Sequence, residues 1–160
     1  MRIKLIAITM VCIVTAGVMT RSQGSTTPLS RFHGDYQIVR GPSGTIRVAD
    51  ALGGSFTEWR VILGQPSHEH RMFIGAQASD GSFPVWRFEQ APSPAVSTEG
   101  RGRIEGQQFV TDFAATTDDP GRMLRERWTL TPNGGLEFAL EASGQGETPR
   151  RVGGFGATRR

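Results

Sequence analysis

Residues 55–90 read SFTEWRVILGQPSHEHRMFIGAQASDGSFPVWRFEQ, and this stretch decides the fold class. Apolar residues occupy every second position in two of its segments: Trp59, Val61 and Leu63, then Met72, Ile74 and Ala76. A period of two is the pattern of a β-strand with one buried face. Residues 79–81, Ser-Asp-Gly, separate the second apolar segment from the next with side chains that tolerate the backbone of a tight hairpin. The stretch therefore predicts three consecutive antiparallel strands.

The same pattern continues along the rest of the chain. No segment spaces its apolar residues by three and four for three helical turns, and glycine recurs throughout, which is typical of an all-β sandwich or barrel. The predicted strands span 35–41, 45–50, 55–63, 69–77, 82–90, 96–104, 107–114, 123–131, 136–141 and 151–157. A sheet of this many strands normally closes, because closure removes its exposed edges. We predict an all-β fold, a single antiparallel up-and-down barrel of about 8–10 strands.

The first 24 residues differ from the remainder. Two basic residues precede an uncharged apolar run, 5–14, and small residues follow it. This order is that of a secretory signal, and the run is shorter than the roughly 20 residues of a membrane span. Cleavage after Ala16 and cleavage after Gly24 both fit, and a retained anchor is the alternative. We predict a signal peptide over 1–24, a barrel domain over 25–160, and a secreted or periplasmic protein.

The charge balance argues against two classes of partner. The whole chain carries 18 Lys+Arg against 15 Asp+Glu, but Arg2, Lys4 and Arg21 lie in the signal segment. Without these three residues the chain is formally neutral. Nucleic acids and anionic membranes bind clustered basic surfaces, and the sequence contains no such cluster. We expect no nucleic-acid partner and no membrane contact beyond export.

Two residue types are missing from the part that follows the signal. The only cysteine is Cys12 and the only lysine is Lys4. The barrel domain therefore has neither a disulfide nor a thiolate metal site, and no lysine is present there to form a Schiff base.

His68 and His70 are the pair of side chains best suited to binding a metal ion. Residues two apart on a strand point to the same face, so the two imidazoles are placed to pinch a metal ion. A stable site needs a third ligand, however, and the alternative is a hydrated histidine pair at a hairpin mouth. We expect no metal and no cofactor.

Two pairs of charged residues have alternative orientations. Arg125 and Arg127 flank Glu126 on a late strand. Facing inward, the arginines would hold a carboxylate head group; facing outward, they would pair with acids on neighbouring strands. The outward orientation is favoured because burying two unpaired guanidinium groups is costly. Glu58 and Arg60 form either an interior polar anchor or a surface pair.

Short motifs suggest a family. Residues 29–36, LSRFHGDY, resemble the opening of a lipocalin-like barrel, where a short helical turn precedes a Gly-x-Trp element that plugs one end; here Tyr36 replaces the tryptophan. Further similar elements are LGGSF at 52–56, IGA at 74–76, the turn at Asp118 and Asp119, and ATR at 157–159. Together they resemble a bacterial lipocalin-like family of calycin type known only as a domain of unknown function. The resemblance implies a barrel with an interior cavity and implies no reaction.

Nitrobindins are similar to this chain more distantly, in their opening and strand order. They hold haem through a histidine near the C-terminal end, and this sequence has no histidine after His70. We therefore expect no haem site.

These observations favour a binding function. We expect an exported barrel that holds a small, mostly apolar ligand in its lumen, with Trp59, Met72 and Trp86 along one wall and His70 or Arg127 at the polar end. One alternative is a cyclase or isomerase that uses an interior carboxylate or histidine with a perturbed pKa. Another is a filled-core interaction domain. The sequence lacks a Gly-x-Ser-x-Gly elbow, and we favour binding over catalysis.

Overall fold

A computed structural model shows the all-β fold that the sequence predicts. It describes residues 27–64, 67–90, 96–114, 121–144 and 146–160; the predicted signal peptide and the predicted turn at Asp118 and Asp119 lie outside these ranges. Each strand pairs antiparallel with the next, and the first pairs with the last, so ten strands close into one up-and-down barrel. The strands are β1 (Gly34–Arg40), β2 (Gly44–Ala51), β3 (Phe56–Leu63), β4 (His68–Ile74), β5 (Phe83–Glu89), β6 (Val96–Glu105), β7 (Gln108–Ala114), β8 (Met123–Leu130), β9 (Leu136–Ser143) and β10 (Arg150–Arg159).

All ten predicted strands are present, and their ends differ by a few residues. β4 ends at Ile74, before the predicted 77, because the chain turns there: the backbone N–H of Ala78 donates to the carbonyl of Ser82 at 2.8 Å. β10 continues to Arg159, past the predicted 157, because its last residues pair with β1 and close the barrel. Short 3-10 turns lie at Ser30–Phe32 and Leu52–Gly54.

The hydrophobic core lies inside the barrel. On β3 the side chains of Thr57, Trp59 and Val61 are buried and alternate with more exposed neighbours, as a period of two requires. Glu58 and Arg60 point outward, which settles their orientation as a surface pair: Arg71 lies 3.7 Å from Glu58, and Arg60 lies 2.8 Å from Glu69.

Two glycines of β6 make room for large rings. A Cβ at Gly100 would lie 2.5 Å from the ring of Phe113, and one at Gly102 would lie 2.5 Å from the ring of Phe109. Both rings are fully buried. The pairing of β6 with β7 is regular at these positions, so the glycines serve side-chain packing rather than a bulge.

The first 3-10 turn plugs one end of the barrel. Phe32 is fully buried there, and the hydroxyl of Tyr36 donates to its carbonyl oxygen at 2.7 Å. Arg159, at the end of β10, donates to the carbonyl of His33 at 2.6 Å and to the hydroxyl of Tyr36 at 3.0 Å. We call this the plugged end, and the opposite end, where β4 begins and β5 ends, the far end. Within the described residues, no helix is long and apolar enough to cross a membrane.

Candidate functional site

Aromatic side chains pack against one another in the lumen towards the plugged end. The ring of Trp59 lies 5.4 Å from that of Phe32, 5.8 Å from that of Phe109 and 4.8 Å from that of Trp128, measured between centroids. Trp128 in turn lies 4.5 Å from Phe138. These separations are those of directly packed aromatic pairs. This half of the lumen, which we call the aromatic half, is therefore filled by the protein's own side chains.

Charged side chains occupy the lumen towards the far end. His70 comes from β4, Arg87 and Glu89 from β5, and Glu126 from β8; these four residues form the lumenal charge cluster. Arg87 donates a hydrogen bond to Glu89, and its Nε lies 3.4 Å from Oε1 of Glu126. His70 lies 3.9 Å from each carboxylate, through Nδ1 towards Glu89 and through Nε2 towards Glu126. Strands that are distant in sequence thus converge on one site.

The cluster is buried to different depths. The side chain of Glu126 is 0% exposed, those of Arg87 and His70 are 11% and 12% exposed, and that of Glu89 is 31% exposed. Glu89 therefore connects the cluster to solvent, whereas Glu126 lies at its enclosed side. Oε2 of Glu126 accepts a hydrogen bond from Nε1 of Trp128 at 3.3 Å, which places the carboxylate at the boundary with the aromatic half.

Several polar atoms of the lumen have no hydrogen-bond partner among the described residues. Three belong to the cluster: Nε2 of His70, Nε of Arg87 and Oε1 of Glu126. Nε1 of Trp59 and Oγ1 of Thr111 are the two others that point inward. Buried polar groups are almost always hydrogen-bonded in folded proteins, so several unpartnered atoms on neighbouring side chains mark this cluster as the candidate site.

Burial lowers the pKa of His70 below its ordinary value, and Arg87 adds to this effect. The carboxylates of Glu126 and Glu89 act in the opposite direction without reversing it. The imidazole of His70 is therefore neutral at pH 7, with one nitrogen free to accept a proton. One guanidinium then faces two carboxylates, and the cluster carries a formal charge of −1.

Three of the predicted site residues lie where the sequence placed them. Trp59 and Met72 are fully buried in the lumen and are direct partners across β3 and β4. His70 follows the same face of β4 into the charge cluster. Their inward orientation is as predicted; their role in ligand binding stays a prediction.

The prediction that Trp86 points inward is wrong. The lumenal partner of Met72 on β5 is Arg87, so Trp86 pairs with Phe73 on the outer face. A shift of one residue reverses every side chain of a strand, and β5 is apolar on both faces. Trp86 lies in an outer groove of about 260 Å³, and the groove is lined by Leu52, Phe56, Phe73, Trp86 and Phe88.

Arg127 also lies outside the lumen. It donates to Glu141 at 3.0 Å, and its neighbour Arg125 donates to Asp112 at 2.5 Å, which confirms the favoured outward orientation of this arginine pair. Arg127 therefore does not form the polar end of a lumen site. Glu126, between the two arginines, points inward instead.

The sequence interpretation missed the residues that replace Trp86 and Arg127. From the sequence, no role in the site is predicted for Glu126 or for Arg87. The available signal was alternation: Glu126 stands two residues from Trp128, and Arg87 stands two residues from Val85, both fully buried apolar neighbours. Arg87 and Glu126 therefore each lie on the same strand face as a buried apolar residue.

The histidine pair does not form a metal centre with other side chains. No group of three or more His, Cys, Asp or Glu residues is arranged to hold a metal ion in the part of the chain that the structure describes. His70 instead faces Arg87 and the two carboxylates. The arrangement is suited to hydrogen bonding and proton transfer.

No family model matches this chain, and a search of the curated proteins finds no match either. The fold and the site therefore define the protein by structure: a closed ten-stranded antiparallel barrel with one aromatic half and one charged half in its lumen.

Proposed function

We propose that this protein is an exported lipocalin-like barrel that binds a small molecule in its lumen, through an apolar body and one polar group. The observation that carries the proposal is the set of polar atoms without hydrogen-bond partners among the described residues on His70, Arg87 and Glu126, inside a barrel whose buried side chains are mostly apolar. Small-molecule sites combine apolar walls with a few polar groups that fix orientation, and this cluster is of that kind.

The position of the cluster suggests how a ligand enters. Glu89 is the most exposed of its four residues and lies at the far end, away from the plug formed by Phe32 and Tyr36. A ligand that enters past Glu89 brings its polar group to Arg87 and Glu126. Because the aromatic half is filled, the ligand is small or leaves its apolar body near the far end.

The three tryptophans provide the test. Trp59 and Trp128 lie in the lumen and Trp86 lies outside it, so each indole N–H reports on one location. We expect 1-hexanol or benzyl alcohol to shift the indole N–H resonances of Trp59 and Trp128 saturably in a ¹H–¹⁵N spectrum and to leave Trp86 unchanged. Assignment uses the three single Trp→Phe variants.

Two outcomes contradict the proposal. A shift confined to Trp86 would place binding in the outer groove. No shift at any tryptophan, with either alcohol, would favour a filled-core interaction domain, in which the cluster is a structural network.

Export is tested separately. N-terminal sequencing of protein expressed in a bacterial host should find a start at Gly17 or Ser25. Recovery of the full-length chain alone, in the cytosol, would contradict this part of the proposal.

A catalytic function is the second candidate, and the neutral imidazole of His70 favours it. A neutral histidine 3.9 Å from Glu126 and beside Arg87 has the composition of a general base with an oxyanion-stabilising cation. It suits a proton-transfer reaction such as an isomerisation. A cyclase or isomerase would convert a bound substrate at a rate that falls by about 10²–10⁴-fold in His70→Gln, whereas a carrier would release its ligand unchanged in both proteins.

A further inference from the structure

Two nitrogens of the lumenal charge cluster that lack hydrogen-bond partners in the described part of the chain lie close to one oxygen that also lacks a partner there, Oε1 of Glu126. Nε of Arg87 lies 3.4 Å from Oε1 of Glu126, and Nε2 of His70 lies 3.9 Å from the same oxygen. None of the three has a hydrogen-bond partner among the described residues. Arg87 Nε is only a donor, Glu126 Oε1 is an acceptor, and His70 Nε2 is either, depending on its tautomer. A ligand group that forms hydrogen bonds with these atoms must therefore be both a donor and an acceptor.

The charges around Oε1 of Glu126 further restrict which ligand groups can bind there. Arg87 is the guanidinium of the cluster, and it already forms ion pairs with Glu89 and Glu126. A ligand carboxylate would place a third negative charge beside those two. A ligand ammonium would place a second positive charge beside Arg87. Like charges in close contact strongly oppose binding in a buried site.

We infer that the lumen site selects ligands that present an uncharged hydroxyl group to Glu126 and Arg87, in preference to carboxylates and ammonium ions; this inference rests on the proposed function. The hydroxyl donates to Oε1 of Glu126 and accepts from Nε–H of Arg87. Each of the two charged groups thereby gains the hydrogen bond that it lacks, and no net charge enters the barrel.

The walls beside the cluster suit a ring attached to that hydroxyl. The guanidinium carbon of Arg87 lies 5.5 Å from the ring centroid of Phe113, and Trp128 contacts Glu126 through its indole N–H. An aromatic alcohol therefore meets aromatic side chains on both sides of its polar group. The ligand class is small, apolar and hydroxylated, with an aromatic body as its favoured form.

Three probes of nearly equal size separate the head groups: benzyl alcohol, benzylamine and benzoate. Each is titrated into the protein at pH 7.5, and its dissociation constant is read from the indole N–H shift of Trp128, which donates to Glu126. We expect benzyl alcohol to bind at least about tenfold more tightly than benzoate, with benzylamine between them because the cluster is negative overall.

A variant tests whether the charge of Glu126 causes this order of affinities. Glu126→Gln keeps the size of the side chain and removes its charge, and it should narrow the gap between benzyl alcohol and benzoate to less than about threefold. Glu141→Gln is the matched control, because Glu141 pairs with Arg127 on the outer face and should leave the gap unchanged. Should Glu126→Gln fail to fold, the order of the three probes in the wild-type protein still decides the question.

The outcomes distinguish this inference from the proposed function. Tighter lumenal binding of benzoate or benzylamine than of benzyl alcohol would overturn the hydroxyl preference and leave a lumen binding site standing. Absence of lumenal binding by all three probes would overturn the proposed function itself.

Discussion

The two halves of the lumen are built on opposite principles. In the aromatic half, Trp59, Trp128 and their neighbours contact one another directly, and the packing needs nothing from outside the protein. In the half with the charge cluster, Glu126 is fully buried and still has an oxygen without a hydrogen-bond partner among the described residues. Apolar burial stabilises a fold without specific partners, whereas a buried charge does so only when it is fully paired.

This difference assigns the stabilising packing to one half of the lumen and the incompletely paired polar groups to the other. The plug of Phe32 and Tyr36 and the aromatic cluster hold one end closed, so strands such as β4 and β5 can carry charged residues inward at the other end. Buried polar groups that are not fully paired lower stability, and they persist in native proteins chiefly at functional sites. We expect substitutions in the two halves to behave differently in stability and in their response to pH.

The largest effect is expected in the aromatic half. Trp59→Ala removes a fully buried indole that packs against Phe32, Phe109 and Trp128, and should lower the free energy of unfolding by about 3–5 kcal/mol. Trp86→Ala removes an indole from the outer groove and should lower the free energy of unfolding by distinctly less than Trp59→Ala does. Urea denaturation measures both. Equal losses for the two variants would show that the aromatic half is not the more stabilising region.

The second prediction concerns the cluster and compares a buried arginine with an exposed one. Arg87→Met leaves Glu126 and Glu89 without their cation and should destabilise the protein by about 3 kcal/mol at pH 7.5. Arg125→Met breaks the outer pair with Asp112 and should cost about 0–1 kcal/mol.

A second substitution checks the cause. If unpaired negative charge is what destabilises Arg87→Met, adding Glu126→Gln to it should restore part of the loss. A double variant as unstable as the sum of the two single variants would mean that Arg87 acts through packing alone.

These comparisons also show what the sequence was able to predict. Strands β3 and β4 alternate cleanly, so the inward faces of Trp59 and Met72 followed from a period of two. In β5, Phe83 and Val85 are buried in the lumen while Trp86 and Phe88 lie outside, so both faces are apolar and alternation alone does not choose between them. The register with β4 decides, and register depends on contacts between strands.

The charged site was harder to predict for a related reason. Arg125, Glu126 and Arg127 are all charged, and hydropathy does not say which of them enters the core. The pairing of Arg125 with Asp112 and of Arg127 with Glu141 fixes both arginines outside and thereby turns Glu126 inward. Ion pairs between strands are a tertiary feature, so the orientation of this strand follows from the closed barrel.

The third prediction is a moderate effect at the plugged end. Tyr36→Phe removes the hydroxyl that donates to Phe32 at 2.7 Å and accepts from Arg159 at 3.0 Å, and should lower the free energy of unfolding by about 1 kcal/mol. In an Arg159→Ala background the same change should cost less, because one of its two hydrogen bonds is already absent. Additive losses would show that the two residues do not act together.

The smallest effect is the pH dependence that His70 gives to stability. Burial lowers the pKa of His70 in the folded protein, so below about pH 6.5 the unfolded chain binds a proton at this residue that the folded protein does not bind. Stability therefore rises with pH through this window and falls as the pH decreases from 7.5 towards 5. The groups that face His70 are Arg87 and Glu89 from β5, Glu126 from β8 and His68 on its own strand.

Urea denaturation at several pH values between 5 and 7.5 measures this dependence. The window lies above the range in which Asp112 titrates, because burial, which raises the pKa of that carboxyl, is outweighed by hydrogen bonds from Arg125 and Arg103 that lower it. His70→Gln should flatten the rise of stability with pH, whereas His68→Gln, at the first position of β4, retains His70 and should keep it. A slope unchanged in His70→Gln would mean that the imidazole is as free to bind a proton in the folded barrel as in the unfolded chain. His70 would then be in contact with water, and the charged half of the lumen would be open where the structure encloses Glu126.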